Sequence, residues 1–267
     1  MKKLGFVGAG RMASAMVEGI LATESLPVAE IACTSADDGT GTALASATGI
    51  TYCAGLEDLL AQCEAIVLAI KPQQLAAIPE SAASECSNKL ILSILAGTPL
   101  SRLQAVFPGA RNLVRAMPNT PGQIGAGITA YAPSAPLSEA DAQMVEMVLG
   151  ALGTVLAVPE TAMDAVTAVS GSGPAYVFEF VAALRDGGRA AGLDASVADQ
   201  LARETVLGAA MLLAKSPDDP ETQRDRVTSP GGTTEAALKV LGDRKFRDMI
   251  GAAVLAAGKR SRELADA

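Results

Sequence analysis

Leu4-Gly5-Phe6-Val7-Gly8-Ala9-Gly10-Arg11-Met12-Ala13 decides the fold. A short apolar run ends in G-x-G-x-x-A, and an apolar-periodic stretch, Ala13–Ala22, follows at once. That is a buried strand, a tight glycine turn and a helix, the first unit of a doubly wound sheet that binds a dinucleotide. Gly8 makes the turn. Gly10 lets backbone approach a pyrophosphate, with Arg11 and Met12 opening the helix, and the small Ala13 allows the helix to pack closely on the strand. The helix N-terminus then faces the phosphates.

The same alternation continues along the chain. Ala29–Thr34, Ile50–Cys53, Ala65–Ile70, Leu90–Leu95, Asn112–Met117, Ile128–Ala132 and Thr154–Val158 read as strands. Thr98 reads as an N-cap with Pro99 at the first helical position, and Ser138 as another with Asp141 three residues on. Continuous apolar strands alternating with helices predict an α/β domain with a parallel, Rossmann-like sheet over residues 1–160. After Glu160 the strands stop, and residues 161–267 read as an all-α domain. Tyr176–Ala191 is apolar almost all round over its first half. Val197–Lys215 is a second long helix. Phe246, Met249, Ile250, Ala253, Val254 and Ala257 form one apolar stripe at steps of three and four. A helical module this small cannot bury an all-apolar helix alone, so two protomers are expected to share it.

Composition excludes several classes. The 267 residues carry a net charge of −8 without a block of like charges, which argues against nucleic acid and against a basic membrane-docking face. There is no histidine, so the commonest general base and the commonest metal ligand are both missing. Cys33, Cys53, Cys63 and Cys86 form no C-x-x-C pair, so no metal site is expected; they read as small buried residues of a reducing compartment. The first residues are too few and too weakly apolar for a signal peptide or a span. A cytoplasmic protein is the expectation.

Cofactor choice is read at the end of the second strand. A ribose-binding acid is expected about 20 residues after the glycines. Thr34-Ser35 stands there instead, neutral and hydroxyl-bearing. A neutral tip does not repel a 2′-phosphate, so NADP(H) is favoured; no Arg grips that phosphate, so NAD(H) is admitted. Asp37 and Asp38 read as solvated loop charges.

Four further stretches are specific. They are Leu68–Gln73 (LAIKPQ), Arg115–Pro121 (RAMPNTP), Val169–Tyr176 (VSGSGPAY) and Val227–Thr234 (VTSPGGTT). Their order and spacing resemble the pyrroline-5-carboxylate reductases from end to end, and the last is close to a signature of that family. Read physically, Ala69, Lys71 and Pro72 end a strand at the carboxyl edge of the sheet, where Lys71 can meet cofactor phosphate or ribose. Ala96-Gly97 leaves room for the nicotinamide side. Asn119, after the rigid Pro118, could fix nicotinamide or substrate. Ser170–Pro174 starts a helix. Ser229, Gly232, Thr233 and Thr234 belong to a nest of backbone N–H groups opening a helix, a carboxylate site that needs no basic residue.

The resemblance implies hydride transfer from NAD(P)H to the C=N bond of 1-pyrroline-5-carboxylate, giving L-proline. It implies that the Ser229–Thr234 loop holds the substrate carboxylate, that Thr234 hydrogen-bonds the imine nitrogen as the one catalytic side chain, and that Glu160 lies near the substrate ring. It also implies a homodimer, at least, through the helical domain. Departures are Arg11 where the family often has an uncharged residue, Leu56 where many members carry Asn, Arg226 at a variable position, and Lys245 for a common Gly. Two other readings stand beside it. One is a related NADPH-dependent cyclic imine reductase. The other is a catalytically silent nucleotide-binding regulatory protein. A hydroxy-acid dehydrogenase with a central-helix Lys is disfavoured, because Tyr176–Arg189 offers only Arg185.

Overall fold

The apolar runs form eight strands of one sheet. The computed structural model describes residues 2–265. The strands are β1 (Lys2–Val7), β2 (Ile31–Thr34), β3 (Thr51–Tyr52), β4 (Cys63–Leu68), β5 (Leu90–Ser93), β6 (Asn112–Met117), β7 (Gly127–Pro133) and β8 (Gly153–Ala157). Their order is β3-β2-β1-β4-β5-β6-β7-β8. The strand order reverses between β1 and β4, which puts the ligand crevice beyond the carboxyl ends of these strands.

Helices cover both faces. On one lie α1 (Arg11–Ala22) and α2 (Thr40–Thr48), and on the other α3 (Leu56–Gln62), α4 (Glu80–Glu85) and α5 (Leu100–Val106); α6 (Glu139–Gly150) returns to the first face. Alternate strand residues feed the two cores. Phe6, Cys33, Val67 and Leu92 pack with α1 and α6, while Val7, Ala32, Ile66 and Ile91 pack with α3 and α5. Period-2 alternation with both faces apolar is why the strands read as continuous runs.

Two strands depart from the expected parallel sheet. β7 runs antiparallel to β6, with Arg115 opposite Ala132, and β8 is parallel to β7. Residues 118–126 hold only a single 3-10 turn, Thr120–Ile124, too short a connection for the helical crossover that a parallel neighbour needs. The first strand-edge helix cap also differs. α5 begins at Leu100 after Pro99, and no Thr98 side-chain cap forms; the Leu100 N–H donates instead to Glu160 Oε1 at 2.6 Å. Ser138 caps α6 as expected, accepting from the Asp141 N–H at 3.2 Å.

Beyond β8 come α7 (Met163–Val166), a π-helical turn at Thr167–Gly171, α8 (Gly173–Ala190), α9 (Ala195–Lys215), α10 (Pro220–Arg226), α11 (Thr233–Asp243) and α12 (Phe246–Ala265). The chain divides into two compact units: residues through Ser172 together with the stretch from Ala256 onward, and Gly173–Leu255. The last turns of α12 belong to the sheet-bearing unit. Ser261 donates to Asp164 Oδ1 at 2.8 Å, which holds them there. In the second unit α8 and α9 pack as a pair. No residue of α8 is buried within the single chain; Phe178 is 65% exposed and Leu212 of α9 57%. Apolar surface on that scale marks an interaction face.

Candidate active site

The glycine turn is built for close backbone approach. Gly8 has φ +100°, a conformation that side chains resist, and a Cβ there would lie 2.5 Å from the Ala69 carbonyl oxygen. Its N–H donates to Thr34 O at 2.8 Å, and Ala69 N–H donates to Val7 O at 2.8 Å, so the ends of β1, β2 and β4 are knitted together. Gly10 caps α1 in extended conformation, and a Cβ on it would meet nothing within 4 Å. Open space beside Gly10, next to the free N–H groups of the first turn of α1, fits a pyrophosphate. The Met12 side chain packs on the core, so its contribution to such a ligand is its N–H. Arg11 and Lys71 are exposed cations at this edge of the sheet. Lys71 N–H donates to Gln74 Oε1 at 2.9 Å, fixing the backbone beside Pro72.

The tip of β2 is more ordered than its sequence suggests. Thr34 is buried, while Ser35 Oγ accepts from the Gly41 N–H at 2.9 Å. Asp38 Oδ1 accepts from Thr40 N–H at 3.0 Å and from Thr40 Oγ1 at 2.6 Å. These hydrogen bonds from Thr40 hold the Asp38 carboxyl below its ordinary range. Asp38 is thus a fixed anion at the start of α2, not a loose loop charge.

Along the other half of the sheet edge, Ala96 is exposed after β5. Asn119 follows β6, and its Oδ1 accepts from Ile128 N–H at 3.0 Å. That contact braces β7 and fixes the Asn119 side chain, whose amide nitrogen can still donate to a ligand. Glu160, expected beside the substrate, has Oε1 taken by the Leu100 N–H and by Arg115 Nη1 at 3.3 Å; its place in this structure is a helix cap and ion-pair partner. Arg115 and Asp164 were not singled out in the sequence. The signal was present: a charged residue inside the apolar strand Asn112–Met117 has to be paired.

In the second unit, Gly231 has φ +70° and Gly232 caps α11 in extended conformation. Gly232 N–H donates to Ser229 O at 2.9 Å, and Gly231 N–H donates to Glu235 Oε2 at 2.8 Å. Glu235 thus occupies the Gly231 N–H, and the N–H groups of Thr233 and Thr234 start the helix with no acceptor one turn back. Thr234 is half-buried. Arg226, near this loop in sequence, is paired with Asp218. Lys245, in the family's common glycine position, takes the left-handed φ of 53° that explains the preference.

Residues 160–264 match the family described as pyrroline-5-carboxylate reductase dimerisation, and residues 3–97 match NADP oxidoreductase coenzyme F420-dependent. The pyrroline-5-carboxylate reductase of Synechocystis sp. is 40% identical, with 98% of each chain covered. That of Arabidopsis thaliana is 39% identical over 98% of this chain and 95% of its own. The chain belongs to the pyrroline-5-carboxylate reductase family. Among solved structures, the family's Coxiella burnetii enzyme superposes with a TM-score of 0.92 at 30% identity, covering 98% of both chains. The Plasmodium falciparum pyrroline carboxylate reductase, solved with NADP bound, gives 0.84 at 29% identity, covering 99% of this chain and 98% of its own.

Proposed function

We propose that this family member reduces the C=N bond of 1-pyrroline-5-carboxylate to give L-proline, an oxidoreductase of CH–NH bonds using NADP(H) by preference and NAD(H) as well. The observation that carries this reading is the Ser229–Thr234 loop, with Gly231 at positive φ and α11 opening directly behind it. Successive N–H groups at a helix N-terminus suit a carboxylate without any basic side chain.

When bound, the reduced nicotinamide supplies the hydride. The chain's own residues do the rest. Ser229, Gly232 and Thr233 hold the substrate carboxylate, and the Thr234 hydroxyl orients the imine nitrogen. A neutral hydroxyl is a weak acid, so Thr234 serves by direction and distance. Gly8, Gly10, Arg11, Met12, Thr34, Ser35, Ala69, Lys71, Pro72, Ala96 and Asn119 line the cofactor path, with Arg11 and Lys71 offering the cations. Without histidine the acceleration comes from positioning and from preorganised N–H dipoles.

The enzyme works as a homodimer at least, and the exposed apolar faces of α8 and α9 are the surface that supports this. No described helix is long and apolar enough to cross a membrane, and four thiols without disulfides fit a reducing cytoplasm. Oxidation of NADPH on addition of pyrroline-5-carboxylate tests the assignment. An enzyme that binds NADPH yet leaves this substrate untouched while reducing a larger cyclic imine would overturn it.

A further inference from the structure

We propose that Arg115 is a positioning residue for the nicotinamide half of the cofactor site, acting through Glu160 and Asp164; the inference rests on the cofactor reading above. Arg115 lies on β6 with its side chain only 7% exposed. Its Nη1 is 3.3 Å from Glu160 Oε1 and its Nη2 3.5 Å from Asp164 Oδ1. Each carboxylate is itself tied onward. Glu160 Oε1 accepts the Leu100 N–H at 2.6 Å, and Asp164 Oδ1 accepts the Ser261 hydroxyl at 2.8 Å.

One guanidinium therefore joins four segments of the sheet-bearing unit: β6, the start of α5, α7 and the last turns of α12. The start of α5 stands directly behind Ala96-Gly97. The end of α12 closes on the same loop, since a Cβ on Gly97 would lie 3.3 Å from Leu264 Cβ. Two residues past Arg115, Met117 closes β6 and leads into Pro118-Asn119. These are the carboxyl ends of β5 and β6, on the far side of β1 from the β2 tip. In a sheet built from two mononucleotide halves, the adenosine half takes the β1–β2 side and the nicotinamide the other.

Arg115 is buried but its partners are not, the Glu160 and Asp164 side chains being 35% and 24% exposed, so solvent screens the pairs and the cluster is a weak source of stability alone. What the cluster does supply is direction. Glu160 and Asp164 can meet Arg115 in few geometries, and each geometry fixes a loop. The cluster touches neither the glycine turn nor the β2 tip, so its effect should stop at the nicotinamide half.

That split is the test. Glu160→Gln keeps an acceptor for the Leu100 N–H but removes the charge facing Arg115. Calorimetry would compare NADPH with 2′,5′-ADP, which carries the adenosine half alone, on the full-length dimer. The expected result is NADPH binding weakened by about 5- to 20-fold, roughly the loss of one oriented contact, with 2′,5′-ADP binding unchanged within about twofold. Ser261→Ala should shift NADPH in the same direction by less, and Ser261→Thr, which keeps the hydroxyl, should restore it. Equal weakening of both ligands, or no change in either, overturns the proposal. If Glu160→Gln fails to fold, the Ser261 pair decides it by the same criterion. A wild-type protein that binds neither ligand would refute the cofactor site itself, a separate failure.

Discussion

Gly8 and Ala69 stand so close that a Cβ on the glycine would lie 2.5 Å from the alanine carbonyl oxygen. Gly10, two residues on, has open space instead. The two glycines of one turn therefore answer to different demands, one to the fold and one to the ligand. Gly8→Ala should lower stability by roughly 1–3 kcal/mol for the strained φ alone, before the displaced β4 end is counted. Gly10→Glu should leave the melting temperature nearly unchanged and abolish NADPH binding by filling the pyrophosphate path. Thermal denaturation and quenching of NADPH fluorescence separate the two; a stable Gly8→Ala protein, or undiminished quenching with Gly10→Glu, would contradict this account.

Thr234→Ala should lower turnover by about 10- to 100-fold, the scale of one positioned hydrogen bond, while NADPH affinity holds. Stopped-flow measurement of the hydride-transfer step checks it. An unchanged rate removes Thr234 from the chemistry.

Much of this was legible in the residues, and the parts that were not have physical reasons. β1 with its turn could be read because strand, glycine spacing and helix are contiguous. The direction of β7 could not, because it depends on whether residues 118–126 hold a crossover helix, and Pro118-Asn119-Thr120-Pro121 conceals that they do not. Thr98 looked like a cap because capping is usually local; the acceptor for Leu100 comes from Glu160, sixty positions away. Asp38 looked solvated because the two donors of Thr40 that hold it are visible only once α2 has formed.

Asp141 makes a paired contact with Arg111, at 2.6 Å from Nη2 and 3.0 Å from Nε. The Arg111 hydrogen bond holds the Asp141 carboxyl below its usual value. A depressed folded-state pKa contributes stability above the unfolded value of about 4, and that stability is lost as pH falls through the folded pKa. Asp141→Asn should cost about 1–2 kcal/mol near neutrality, moderated because Arg111 is partly exposed, and the gap to wild type should narrow progressively as pH falls below about 4. Urea denaturation at neutral and acid pH gives both numbers; a gap that persists in acid would rule out the charge as its source.

Burial pushes the Cys33, Cys63 and Cys86 thiols up to about 11, and raises Cys53 as well. Thiolate is the reactive form, so these side chains should resist Ellman's reagent at mildly alkaline pH in the native protein and all react once urea unfolds it. Rapid labelling of one native thiol would contradict this and mark a local opening beside that residue.

Asp164 and Ser261, 97 positions apart, meet across the whole of α8 to α11. A ribosome delivers residues in order, and domains generally begin folding as they emerge. Here the sheet is synthesised early, but the hydroxyl that completes its ionic cluster arrives only after the intervening helices have been translated. Throughout that interval the nascent chain carries Arg115 with its carboxylates incompletely anchored, and the β5–α5 loop without α12 against it. On the role proposed for that cluster, chains stalled within α11 should carry a formed glycine turn and yet hold the dinucleotide by its adenosine end alone.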